Sequence, residues 1–272
     1  MSTSQIHPTA IVHPEARLGP NCVIGPGAII EAHVELGEGC EVGPWVQIAG
    51  WTRIGQRNRF HAGAVIGDLP QDLRFKGGET WLEIGDDNIF REHVTIHRSN
   101  KPGEPTRVGN HCFLMANSHV GHNSALGNGV ILANGALVAG HVEIGDKAFI
   151  SGNCLLHQFV RVGQMALMQG GSGISKDLPP FTIARGDNHI AGLNTIGLRR
   201  AGIGSAERLE LRRLYHFLFR SRQGRLHERL EIARGTFPSA PSQHLIHFAS
   251  TAKRGLCEDG SRRAPAAESD EE

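Results

Sequence analysis

His97, His119, His122, His141 and His157 are the side chains of this sequence best suited to chemistry. His122, Gly140 and Gln158 lie eighteen residues apart, and so do Asn123, His141 and Phe159. An imidazole titrates near neutral pH and can take a proton from a hydroxyl. A glycine one turn of the repeat away offers a bare backbone N–H, a donor type that stabilises an oxyanion. Together these groups suit acyl transfer to a hydroxyl.

Such spacing needs an element that repeats every eighteen residues, and the chain supplies one. An aliphatic residue returns every sixth position from Ile6 through Val12, Leu18 and Ile24 to Ile66. The beat resumes at Ile84, Phe90 and Ile96, then runs from Val108 to Ile174. A period of six fits neither a helix nor simple strand alternation, and it marks a solenoid. Two residues before the beat sits a small or β-branched residue, as at Ala10, Cys22, Ala28 and Val34. Strand alternation turns that residue to the same side as the beat. The residue after the beat is often glycine, as at Gly19, Gly25 and Gly37, which suits a positive φ or a close backbone approach. Three such units close one coil, so the fold expected is a parallel β-helix of nearly nine coils.

The beat fails twice, over excursions at 67–83 and 97–107. If each loop leaves and rejoins at one corner, Ile66, Ile96, Val120, Val138, Leu156 and Ile174 share one wall. Both loops then emerge from the corner that carries the histidines. Long loops in a compact repeat are usually functional.

Composition narrows the field. The formal net charge of +1 gives no basic footprint for nucleic acid. No apolar run is long enough to insert in a membrane, and MSTSQIHPTA has no signal-peptide core, so a cytoplasmic protein is expected. Cys22, Cys40, Cys112 and Cys154 fall at the small inward position and read as core fillers without disulfides. Neither a metal nor a cofactor is expected. The solenoid should occupy 1–190, with 175–200 a connector punctuated by Pro and Gly. A helical domain over 191–255 should cap its end. One helix should start at Ser205 as N-cap and bury Leu211, Leu214, Tyr215 and Leu218. A second should carry Leu226, Leu230 and Ala233, and a third should open at Ser239 and Pro241 and run to about Ala252. Residues 256–272 should be disordered.

Several runs are far more specific than the repeat: GDLPQDLRFKGGET, VTIHRS, NSHVGHNSALGNGVILANGALVAGHVEIGD, LLHQFVRVG and GLNTIGLRRAG. In these the chain resembles the acyl-ACP–UDP-N-acetylglucosamine O-acyltransferases of lipid A biosynthesis, from the N-terminus to about Gly255. The resemblance implies a left-handed β-helix, a homotrimer, and active sites in the clefts between solenoids. It implies transfer of a 3-hydroxyacyl group from acyl carrier protein to the glucosamine 3-hydroxyl of UDP-N-acetylglucosamine. By the same resemblance His122 is the general base and Gly140 the oxyanion donor. Gln71, Asp72, Arg74, His97, His119, His141, His157, Gln158, Asn194 and Arg200 would hold substrate, and Gly170 would lie near the far end of the acyl groove. The chain departs from well-studied members in placing Asn123 where they have Asp, Ile196 where some have an acid, and Ala201 where some have arginine.

Other readings share the scaffold. A zinc enzyme of the carbonic-anhydrase type could recruit His97, His119, His122 and His141, but needs three ligands and an open position. A CoA-dependent acetyltransferase differs in its acyl donor. A plain scaffold would need neither the loops nor the histidine column.

Overall fold

Six-residue units become short strands that end on the beat, such as Val23–Ile24, Ile29–Ile30 and Val34–Leu36. Each stacks in parallel on the strand one coil later, pairing Ile24 with Val42, Ile30 with Ile48 and Leu36 with Ile54. The computed structural model describes residues 4–221 and 224–260. In it the strands form three sheets of twelve, nine and eight strands. The result is a left-handed parallel β-helix with a small helical part at its C-terminal end. The beat residues and their small partners fill the interior; Ile24, Ile48, Phe90, Leu114 and Ile150 are buried, as are the four repeat cysteines. Phe60 and Phe90 stack at 4.8 Å in adjacent coils of this core.

The glycine after the beat serves close approach and, apart from Gly67, not a positive φ. A Cβ on Gly37 would overlap the Gly55 carbonyl of the next coil. Left-handed φ falls instead three residues after the beat, at Asn21, Trp45, Arg57, Asn123 and His141, where the corner turns.

The nine-stranded sheet carries the wall expected from the phasing. Ile66 pairs with Ile96, Ile96 with Val120, Val120 with Val138, Val138 with Leu156 and Leu156 with Ile174. Strand structure reaches into both excursions, since Val65–Asp68, Leu82–Ile84, Thr95–His97 and Thr106–Val108 are strands.

The segment after Ile174 is more regular than a connector. Leu178 bridges Val162, Ala184 pairs with Met168 and Asp187 bridges Gly173, so a last coil forms without the six-residue beat. His189–Leu193 then turns back antiparallel to Thr182–Ala184. Among the described residues four α-helices follow: α1 (Thr195–Arg200), α2 (Ser205–Tyr215), α3 (Leu226–Thr236) and α4 (Ala240–Ser250). Leu211, Leu214, Tyr215 and Leu218 are buried as the periodicity requires, Leu218 on a π-helical turn, His216–Arg220, that continues α2. Ser205 is the first helical residue and not the cap. Gly204 caps α2, its N–H donating to Glu207 at 3.1 Å. Ser239 caps α4, accepting from the Ser242 N–H, and α4 stops at Ser250, short of Ala252.

The expected disorder over 256–272 is corrected for its first residues; 261–272 lie outside the described part. Glu258–Asp259 forms a strand beside His189–Leu193, and Cys257 is buried. The buried Asp259 carboxylate accepts hydrogen bonds from the Tyr215 hydroxyl and, at 2.9 Å, from Arg220 Nε. Among the described residues no helix is long and apolar enough to cross a membrane.

Candidate active site

Val120 points into the core, so the chain must turn outward after it. At Gly121 a Cβ would lie 2.7 Å from Gly140 N, which keeps the two coils in close contact at this corner. His122 follows, 7% exposed, with its ring over Gly140. A Cβ on Gly140 would stand 2.9 Å from both Cε1 and Nε2 of His122, so this imidazole position requires glycine opposite it. His122 Nδ1 is 2.9 Å from Asn123 Oδ1. The Gly140 N–H makes no hydrogen bond among the described residues, whereas the neighbouring His141 N–H donates to the His122 carbonyl at 2.9 Å.

The other corner residues pack around this pair. His141 meets His122 edge-on at 5.2 Å and stacks on Phe159 at 4.6 Å. Burial, reinforced by His122, lowers the His141 pKa. His97 Nδ1 contacts the Leu69 carbonyl of the first excursion, and its ring lies edge-on to His119 at 5.2 Å. Burial first, then the nearby His97 and His122, pushes the His119 pKa down to about 4. His119 is therefore neutral at ordinary pH.

A cleft of about 1090 Å³ runs from this corner across the nine-stranded face. Gln71 from the first excursion, His157 and Gln158 line it with the histidines, and Leu137 and Leu155 form its apolar floor. Arg254 Nη2 reaches His157 Nδ1 at 3.2 Å. Asp72 stands beside the cleft, bonded to Arg74 and, at 2.7 Å, to Asn100 Nδ2. These bonds hold its carboxyl well below the usual range. The Arg74 side chain is 86% exposed and projects to solvent.

His141 lines an adjoining cavity with Asn123 and Phe159 and not this cleft, and Asn194, Arg200 and Gly170 stand farther off within one chain. Asn194 caps α1, accepting from the Gly197 N–H at 2.9 Å and donating to the Met165 carbonyl at 3.0 Å. Arg200 ends α1 and is exposed. Gly170 sits on the corner that enters the nine-stranded face, whereas His122 sits on the corner that leaves it. Among the described residues no three His, Cys, Asp or Glu side chains are placed to hold a metal ion.

Sequence reasoning missed the groups that support Asn123: Thr106 Oγ1 accepts its N–H at 2.7 Å, and Ser99 and Asn100 also bond it. It also missed Leu137 and Leu155, although both follow His119 at the eighteen-residue spacing on the outward side.

The β-helix with its looped histidine corner, together with the relatives below, makes the chain a hexapeptide-repeat acyltransferase. The model described as bacterial transferase hexapeptide (six repeats) matches residues 33–68 and 105–140. That described as UDP N-acetylglucosamine O-acyltransferase, domain 2, matches 177–257. An acyl-[acyl-carrier-protein]–UDP-N-acetylglucosamine O-acyltransferase of Synechocystis is 41% identical over 213 residues, 78% of this chain and 75% of that one. One of Alkalilimnicola ehrlichii is 43% identical over 198 residues, 71% and 76% of the two chains. The solved UDP-N-acetylglucosamine acyltransferase of Bacteroides fragilis superposes with a TM-score of 0.89 at 39% identity, covering 93% of this chain and 99% of that one. For the Campylobacter jejuni enzyme the TM-score is 0.88 at 35% identity, with the same coverage. The chain belongs to the acyl-[acyl-carrier-protein]–UDP-N-acetylglucosamine O-acyltransferase family.

Proposed function

We propose that this enzyme transfers a 3-hydroxyacyl group from acyl carrier protein to the glucosamine 3-hydroxyl of UDP-N-acetylglucosamine, the first step of lipid A biosynthesis. The observation that carries the mechanism is His122, oriented through Nδ1 by Asn123 and backed by the bare Gly140. His122 Nε2 takes the proton of the 3-hydroxyl as that oxygen attacks the thioester carbonyl. The Gly140 N–H, unused in the ladder between coils, donates to the tetrahedral oxyanion. The carbon–sulfur bond then breaks, and the imidazolium returns its proton to the departing thiolate.

The neutral His119 with His97, His157 and Gln158 would shape the sugar pocket, His141 would reach the substrate from the adjoining cavity, and Gln71, Asp72 and Arg74 would approach from the first excursion. Asn194, Arg200 and Gly170 stand away from this cleft, so their part in the reaction requires a neighbouring chain. A homotrimer supplies that neighbour, and the exposed Leu137 and Leu155 on the nine-stranded face favour such packing. With a carrier-protein donor, the enzyme is read as cytoplasmic.

The test is a purified assay with UDP-N-acetylglucosamine and 3-hydroxyacyl carrier proteins, beside solution mass measurement. His122→Ala should lose about 10²–10⁴-fold in kcat, the usual worth of a general base, with the assembly intact. Turnover near wild type would sink the assignment.

A further inference from the structure

Asn123 is held on all sides by the second excursion. Its Oδ1 accepts from the Asn100 backbone N–H at 3.1 Å and faces His122 Nδ1 at 2.9 Å. Its Nδ2 donates to Ser99 Oγ at 2.7 Å and to the Glu104 carbonyl at 3.2 Å. A backbone N–H can only donate and a backbone carbonyl can only accept, so these two groups fix which way the amide faces. With Oδ1 toward His122, Nδ1 must carry the hydrogen and Nε2 is left as the free base. Ser99 is itself fixed, donating to the Lys101 carbonyl at 3.0 Å and accepting the Lys101 N–H at 2.9 Å.

We propose that the second excursion is a tautomer lock for His122, with Ser99 and the Glu104 carbonyl as positioning groups that act through Asn123. A flipped amide would present Nδ2 to His122 and draw the hydrogen to Nε2, leaving that nitrogen unable to accept the substrate proton. The lock also explains how an amide serves here. A carboxylate at 123 would set an oxygen against the Glu104 carbonyl, where Nδ2 now finds an acceptor. Unlike an amide, however, a carboxylate has no orientation to lose, because both of its oxygens accept.

That difference supplies the test, which rests on His122 acting as the base. Ser99→Ala should lower kcat about tenfold with KM within about twofold, equivalent to ~1.4 kcal/mol in the transition state. In the Asn123→Asp background the same substitution should cost nothing, a non-additivity expected only of coupled residues. Histidine-labelled ¹⁵N NMR gives an independent reading, with the His122 signals identified by their loss in His122→Ala. The native enzyme should show the Nδ1–H form, and Ser99→Ala should populate Nε2–H. An unchanged tautomer in Ser99→Ala, or an equal penalty in both backgrounds, would overturn the lock and leave Ser99 as loop structure only. An active His122→Ala enzyme would instead overturn the general-base reading, whatever the tautomer measured.

Discussion

The hydroxyl of Thr95 lies 2.8 Å from Nδ1 of His119, one coil away on the nine-stranded face. This bond satisfies a ring nitrogen that burial would otherwise strand, and the imidazole stays neutral between His97 and His122. On the proposed general-base reading, a charge at His119 would oppose an imidazolium at His122. His119 therefore adds no positive charge beside His122.

Acid stability should report this directly. The folded pKa of His119 is about 4, below its unfolded value of about 6.5. Between those values the unfolded chain binds the extra proton, so stability is full above pH 6.5 and falls as the pH drops toward 4. His119→Gln should shrink the loss of Tm between pH 7.5 and 5, by on the order of 2 kcal/mol in stability. A loss equal to wild type would reject the buried neutral imidazole.

Gly140 is the second place to probe. A methyl there would sit 2.9 Å from the His122 ring, and the imidazole must move. Gly140→Ala should cost about 10²–10³-fold in kcat, comparable to losing an oxyanion donor, with little change in Tm. A crystal structure of the variant should show the His122 ring displaced.

Gly170 has room for a side chain, since a Cβ would meet only the Gly152 carbonyl, at 3.4 Å. Gly170→Met should therefore fold normally and shift the preferred acyl donor to a shorter chain. Competition among 3-hydroxyacyl carrier proteins of graded length reads the shift, and an unaltered profile would place the groove end elsewhere.

Asp259 tests the C-terminal strand. Replacing it with alanine removes the acceptor shared by the buried Tyr215 hydroxyl and Arg220. Asp259→Ala should lose about 2–3 kcal/mol in chemical denaturation, and Tyr215→Phe about 1 kcal/mol.

The solenoid was legible because each inward position is forced: a coil has room only for a small residue and an aliphatic one, and the chain repeats that choice. The wall joining Ile66 to Ile174 followed from the same count, and the histidine corner with it. The final coil was not legible. Leu178, Ala184 and Asp187 keep the pairing while Pro179 and Pro180 alter the spacing, so geometry persists where periodicity ends. Asn194 shows a different limit, because its side chain is spent on capping α1, a local use that a motif does not reveal. The partners of Asn123 were hidden for the converse reason. Ser99, Asn100 and the Glu104 carbonyl come together through a loop whose path no spacing encodes.

The short strand at Glu258–Asp259 has one further consequence. A β-helix ends in a row of open backbone donors and acceptors, and such an edge can template fibre growth from chain to chain. Among the described residues the twelve-stranded sheet finishes on a rung two residues long and acidic at both positions. Asp259 is turned inward to Arg220 and Tyr215, while Glu258 meets Lys176 at the rim. A short rung whose carboxylates are already engaged is a poor template for edge-to-edge pairing.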